Sequence, residues 1–407
     1  MQVLGLRVDP DVILHEFQLY RLRNHHYNAL VVGEEYTADI LILSSAIGSG
    51  HMRASAAIVR GVALLDSEST CSIVDFPHEV SPSIERLLRT VYLESLKLWP
   101  TAYGRIYRSS GSSTQPGSYQ HYVERAGLKT LEYLVSRTGA QALVAPHFYG
   151  AGVLGSYKKQ NPRAFAAVVL SDYVPHAIGV PPNLDLYVVA DEAAAEVVAK
   201  LGVPEEKIHP SGIPIDPAFE EPADPGGVRR DLLKLEDDDL PLVLVMGGGL
   251  GSGDLERAVS LLFQASPAMH LVVLCGSNER SRERLERKAA KEGYSATFLA
   301  FTDRVRDLMA GATVLVTKPG GMSCTEALTS GLPQVLYHPI PGQEEDNAAA
   351  MTRYGAGVVV GKTDEILGET LKILTSEDHR RRMVESARAA HRPHSARSAA
   401  ELILGGL

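Results

Sequence analysis

The chain sets short apolar runs against glycine turns and helical stretches, and it does so twice. Ile40-Leu41-Ile42-Leu43 is hydrophobic at every position, the pattern of a strand covered on both faces in a parallel sheet. It runs into Gly48-Ser49-Gly50-His51 and then into a stretch of helix formers from Arg53 to Val59. Strand, glycine turn and helix open a doubly wound α/β domain. Further strands are expected at Cys71–Asp75, Ala142–Val144, Ala166–Leu170 and Leu186–Val189. Pro214, Pro217, Pro222 and Pro225 with Gly226-Gly227 read as an interdomain linker, and then the pattern restarts. Leu242–Met246 enters Gly247-Gly248-Gly249, Leu271–Cys275 enters Gly276, and Val314–Thr317 and Gln334–Tyr337 complete the set, with a helix over Arg280–Lys291. The reading is α/β, two Rossmann-like domains facing each other across a cleft, over residues 38–216 and 226–390, after an extension over 1–37.

Composition narrows what such a chain does. Its 407 residues are 45% hydrophobic and 22% charged, which fits globular domains with cores of their own. Three scattered cysteines suit a reducing compartment. The start carries acids too early for a signal peptide, and no apolar run approaches the ~20 residues that span a bilayer. A cytoplasmic location is expected, with any membrane role peripheral. The net charge of −9 argues against nucleic-acid binding. It is unevenly spread: residues 86–137 hold eight basic against three acidic residues, a local excess of +5. From just before it, Ile84, Leu87, Leu88, Val91 and Tyr92 recur at helical spacing, flanked by Arg86, Arg89, Lys97, Arg105 and Arg108, with Trp99 and Tyr103 nearby. A basic amphipathic stretch with aromatics suits a membrane surface; a helix packed on the sheet has the same period.

Three glycine-marked turns could carry chemistry. Gly48 and Gly50 let a ligand approach backbone amides at a helix start, and His51 beside them is either a general base or a helix cap. The second cluster, which includes Gly248 and Gly249, lacks the acidic residue that a dinucleotide site wants after the next strand, so it reads as a phosphate or sugar contact or as a plain flexible turn. In Lys318-Pro319-Gly320-Gly321-Met322-Ser323-Cys324-Thr325-Glu326, Ser323 can open a helix whose amides bind an anion. Glu326 would then either take a ribose diol or close a Ser-x-x-Glu capping box. Gln343 and Asn347, four apart after Pro341-Gly342, put two amides on one helix face, a pattern suited to sugar hydroxyls. Asp237-Asp238-Asp239 reads as solvated loop charge, and no metal site is expected.

In this order the motifs resemble glycosyltransferase family 28, and within it the monogalactosyldiacylglycerol synthases and diacylglycerol glucosyltransferases. The likeness rests on 44–51, 98–107, Ser211-Gly212-Ile213-Pro214-Ile215, Val243–Gly249, Cys275–Glu279, Thr317–Gly321 and Pro339–Asn347, and spans about residues 38–390. It implies a GT-B fold with an acceptor domain, a nucleotide-sugar domain, and a final helix over 391–407 returning to the first. It places Gly320, Gly321 and Ser323 at the diphosphate, Glu326 at the ribose, Gln343 and Asn347 at the sugar, and Phe301 and Arg304 near the uracil. His51 falls on the family's glycine-loop histidine. Asp172 and His176 fall on a Thr-Asp-Phe…His segment, written here Ser171-Asp172-Tyr173-Val174-Pro175-His176. The chain departs from the family where Pro146-His147-Phe148 replaces a His-Pro-Phe, and where Ile178 follows in place of a tryptophan.

The resemblance implies an inverting transfer of a hexose from a UDP-sugar to a lipid hydroxyl, with His51 or Asp172 as base. It implies no cofactor beyond that co-substrate, no metal, and peripheral docking on an anionic membrane through the basic stretch. Rival readings are a transferase for a polyprenyl-linked or soluble acceptor, a UDP-GlcNAc 2-epimerase, and an inactive nucleotide-sugar binder.

Overall fold

The computed structural model describes residues 37–47, 49–83, 85–86, 90, 118–235, 240–247, 254–265 and 269–407. Twelve strands among them form two parallel six-stranded sheets. The first contains β1 (Ile40–Ser44), β2 (Cys71–Asp75), β3 (Ala142–Ala145), β4 (Phe165–Val169), β5 (Leu186–Val188) and β6 (Ile208–His209), in the order β2-β1-β3-β4-β5-β6. The second contains β7 (Leu242–Met246), β8 (His270–Leu274), β9 (Ala296–Leu299), β10 (Val314–Thr317), β11 (Gln334–Leu336) and β12 (Gly357–Val359), in the order β12-β11-β10-β7-β8-β9. Every residue of β1 and β7 is buried, as continuous apolar runs require when helices cover both faces.

In each sheet the winding reverses at one place, between β1 and β3 and between β7 and β10. Loops leaving the carboxyl ends of such a pair part in opposite directions and leave a crevice. The sequence motifs sit there: the His51 turn follows β1, and Lys318-Pro319-Gly320-Gly321 follows β10.

Helices α1 (Ser49–Leu65), α2 (Phe76–Val80), α3 (Ser118–Thr138), α4 (Phe148–Gln160) and α5 (Glu192–Lys200) cover the first sheet. The second carries α6 (Asp254–Leu262), α7 (Glu279–Glu292), α8 (Val305–Gly311), α9 (Gly321–Thr329), α10 (Gln343–Tyr354), α11 (Glu365–Thr375) and α12 (Glu377–Ala390). The last helix, α13 (Ser395–Leu404), packs on α1 of the first. That approach needs Gly61, since a Cβ there would meet the Ala396 carbonyl oxygen at 2.3 Å. Ala399, Ala400 and Ile403 then share a buried cluster with Ile58 and Val62.

The proline-rich stretch is more ordered than a linker. Pro217–Glu220 forms a 3-10 turn, and a further helical turn at Pro225–Gly227, capped by Asp224, buries Val228. Strands β6, β9 and β12 escape the apolar-run reading because they are two to four residues long and hold Gly357, Thr297 or His209.

Candidate active site

His51 lies in the third position of α1, where its side chain leaves the helix and reaches across the first crevice. The Pro146 carbonyl accepts from its Nδ1 at 2.9 Å, and Ser171 Oγ stands 3.2 Å from the same nitrogen. A carbonyl oxygen can only accept, so Nδ1 carries the proton and Nε2 keeps the lone pair of a base. Burial in the crevice lowers the His51 pKa below the ordinary histidine value, against the opposing pull of the Asp172 carboxylate and the Pro146 carbonyl. The ring is therefore neutral at pH 7. It does not cap the helix, and that alternative is set aside.

A second histidine backs it. His147 follows β3, is 3% exposed, and meets His51 edge to face with centroids 4.7 Å apart. Its Nδ1 accepts from the Tyr149 amide at the start of α4, so it carries its proton on Nε2. Burial, and then the neighbouring His51, hold its pKa well below the ordinary value. Two neutral rings in contact avoid the repulsion that two imidazoliums would suffer.

Across the cleft, α9 opens earlier than its sequence suggests. Gly320 is the N-cap and Gly321 the first helical residue, so Ser323 lies inside the helix and Glu326 on its second turn. No Ser323–Glu326 capping box forms. Gly320 contributes no side-chain cap, which leaves the first amides of α9 to other acceptors. The helix α10 does start at Gln343, and Gln343 and Asn347 share a face as their spacing requires.

The two halves meet through these residues. The Gln343 amide donates to Asp172 Oδ2 at 2.6 Å and the Asn347 amide to Asp172 Oδ1 at 3.0 Å. Asn347 Oδ1 in turn accepts from the Tyr173 amide at 2.9 Å, and Tyr173 Oη lies 2.9 Å from Thr325 Oγ1. Arg53, two residues past His51, forms an ion pair with Glu326. Gly321 lies against the Ser171 carbonyl so closely that a Cβ there would stand 2.0 Å from the oxygen. Behind these pairs a continuous apolar cluster links Tyr173 and Leu43 of the first half with Met322, Cys324 and Met351 of the second.

Other expected residues lie further out. Phe301 follows β9 and is 54% exposed, an aromatic face open at a strand's carboxyl end. Arg304 is the N-cap of α8, with its Nε donating to buried Asp307 at 2.7 Å. Gly50 packs near Met322. His176 caps the turn at Ala177–Gly179. Gly48, Trp99, Tyr103, Arg105, Arg108, Gly248 and Gly249 lie outside the described residues, as do Asp237, Asp238 and Asp239. Among the described residues no three His, Cys, Asp or Glu side chains are grouped as metal ligands, and no helix is long and apolar enough to cross a membrane.

Chemically the cleft presents a neutral histidine base, a carboxylate beside it, and opposite them an uncapped helix start, a buried carboxylate and two amides. Such a set can deprotonate a hydroxyl and hold an anionic leaving group with a diol and a sugar attached. Sequence reasoning gives no role of their own to Arg53, His147 and Tyr173, although the last two stand in segments it singles out. Arg53 alone has no local signal, since His147 follows a strand and Tyr173 follows Asp172.

Both halves of the chain are similar to known proteins. Residues 51–215 match the family model described as monogalactosyldiacylglycerol (MGDG) synthase, and residues 242–403 match the glycosyltransferase family 28 C-terminal domain. The chain is 26% identical over 366 residues to the processive diacylglycerol beta-glucosyltransferase of Bacillus subtilis (strain 168), covering 90% of this chain and 94% of that one. Among solved structures, Acinetobacter baumannii MurG superposes with a TM-score of 0.59 at 15% identity, over 90% of this chain and 99% of that one. The UDP-GlcNAc 2-epimerase of Neisseria meningitidis, bound to UDP-GlcNAc, superposes with a TM-score of 0.56 at 11% identity, over 90% of this chain and 98% of that one. At these identities the two structures speak for the fold alone, which is GT-B.

Proposed function

The chain belongs to glycosyltransferase family 28, in its diacylglycerol branch, and on that premise we propose that it transfers a hexose from a UDP-sugar to the free hydroxyl of diacylglycerol with inversion. The observation that carries the chemistry is the neutral His51, its Nδ1 proton committed to Pro146, beside Asp172 and opposite the α9 start. The acceptor oxygen attacks the anomeric carbon as its proton passes to His51 Nε2. The bond from that carbon to the β-phosphate oxygen breaks, and its electron pair leaves with UDP. Amides of Gly321 and its neighbours, together with the α9 dipole, meet the charge that develops. Gln343 and Asn347 would exchange Asp172 for sugar hydroxyls, and Glu326 would take the ribose. Phe301 would lie against the uracil, with Arg304 beside it.

The acceptor is read from the names of the relatives, and those names make glucose the first sugar to try. Peripheral membrane docking is supported by α3, which exposes Arg125, Lys129, Tyr133 and Arg137 at intervals of four along one face. Cations flanking an exposed aromatic suit an anionic lipid surface.

The test is incubation with diacylglycerol liposomes and radiolabelled UDP-glucose, UDP-galactose or UDP-GlcNAc, followed by lipid extraction. Label in a glycolipid from one of the hexose donors is expected. Label that stays in water with every donor would sink the lipid acceptor. Conversion of UDP-GlcNAc to its 2-epimer without any acceptor would replace the reading with the epimerase one.

A further inference from the structure

Arg53 has a place in the cleft that its sequence position does not explain, and its role there rests on the UDP-sugar reading of the site. It lies on α1 two residues after His51, and its guanidinium crosses the cleft to pair with Glu326 Oε1 on α9. The Glu326 side chain is only 2% exposed, against 33% for Arg53. Its second oxygen, Oε2, is buried with no hydrogen-bond partner among the described residues. A buried carboxylate oxygen without a donor is costly, and it marks a position where a ligand hydroxyl would be satisfied. One turn before Glu326 stands the uncapped start of α9, and the start of α1 reaches the same place, a Cβ on Gly50 lying 3.7 Å from Met322 Cγ. The guanidinium thus sits beside a carboxylate suited to a diol, on a helix whose start is suited to an anion. UDP offers both groups on one molecule.

We propose that Arg53 changes partners during the reaction. It neutralises Glu326 until the ribose hydroxyls take that carboxylate, and it then moves to the diphosphate. There it meets the charge left on the β-phosphate oxygen as the bond to the anomeric carbon breaks. The acceptor's proton goes to His51 and the bonding pair to UDP; Arg53 stays cationic throughout. Ribose recognition is thereby coupled to leaving-group stabilisation, and Arg53 is a catalytic residue supplied by the acceptor half.

The experiment compares uridine, which has the diol without the phosphates, with UDP, using calorimetry on wild type, Arg53→Met and Arg53→Lys. In Arg53→Met uridine is expected to bind more tightly, because no ion pair is broken. The advantage of UDP over uridine should shrink by roughly 10–100-fold, the scale of a lost charge-assisted contact, and kcat should fall by a similar factor. Arg53→Lys should lie between. If both ligands tightened equally, Arg53 would be a latch and nothing more; if both weakened equally, it would only shape Glu326. Either result overturns the proposal. Should Arg53→Met fail to fold by circular dichroism, Arg53→Lys carries the test, an unchanged uridine-to-UDP ratio overturning it. Wild type that bound neither uridine nor UDP would instead overturn the donor reading on which the proposal stands.

Discussion

Two regions join the halves of this molecule, and they are built from opposite materials. Where α13 returns to α1 the contact is made of Gly61, Ala396, Ala399 and Ala400, with Ile58, Val62 and Ile403 behind them. Nothing in that seam is a group that a ligand could replace. In the cleft the frontmost contacts are polar: Arg53 with Glu326, and Asp172 with Gln343 and Asn347. A hydroxyl or phosphate can replace each of these at little net cost, since a typical hydrogen bond contributes only about 1 kcal/mol beyond its exchange with another partner. One seam is made to persist and the other to exchange. Ion pairs between Arg60 and Asp216 and between Arg392 and Glu192 flank the persistent one, on surfaces where they contribute little.

The contrast can be broken from either side. The largest effect belongs to the cleft: His51→Ala should lower kcat by about 10²–10⁴, the share of a general base, well beyond what the loss of its contacts with Pro146, Ser171 and His147 takes from stability. A kcat near wild type would remove His51 from the base role. Next comes the return seam, where Gly61→Leu should lower stability by about 3 kcal/mol in denaturant titration, because its side chain would collide with backbone. Stability within error of wild type would mean the seam is loose. A smaller effect is expected for Asp172→Asn, which turns a carboxylate that accepts two amides into a group that is partly a donor. It should weaken the cleft by roughly 1–2 kcal/mol. Buried Cys324 should then react faster with a thiol reagent, measured in a background lacking Cys71 and Cys275. Unchanged labelling would show that the apolar cluster alone closes the cleft.

The smallest effect is a response to acid, and it separates the two regions again. His51 has a lowered pKa, so kcat/KM should fall with falling pH only after its own pKa is reached, below the ordinary histidine value. His391, near the return helix, is also lowered, by burial first, with Glu220 pulling upward and His394 downward. A histidine held neutral in the folded state leaves the unfolded chain binding more protons, so stability is full above about pH 6.5 and declines as pH falls through the folded pKa. His391→Gln should flatten part of that decline in Tm. A Tm equally acid-sensitive in the variant would assign the loss to other groups, such as His270, lowered to about 4 between Ser295 and Thr297.

Much of this architecture can be read without coordinates, and the limits are instructive. The long strands announce themselves because burial on both faces demands unbroken apolar runs, as in Ile40–Leu43 and Leu242–Met246. Gln343 and Asn347 are legible because their relation is local, one turn of one helix. The start of α9 is harder to place, since Ser323 looks like a cap while Gly320 is the residue with extended backbone before the helix. Arg53 cannot be read at all. Its meaning depends on Glu326, 273 positions away, and no local period reports which side chain a second domain will bring.

The return of α13 also sets a timetable for synthesis. The face of the first sheet that holds Ile40 and Ile42, with Ile58 and Val62 of α1 packed on it, is completed by Ala399, Ala400 and Ile403. A ribosome adds about 5–20 residues per second, so that face waits roughly ten seconds or more after β6 emerges before its cover exists. During that interval an apolar surface is open to other nascent chains, and the arrival of α13 ends the exposure.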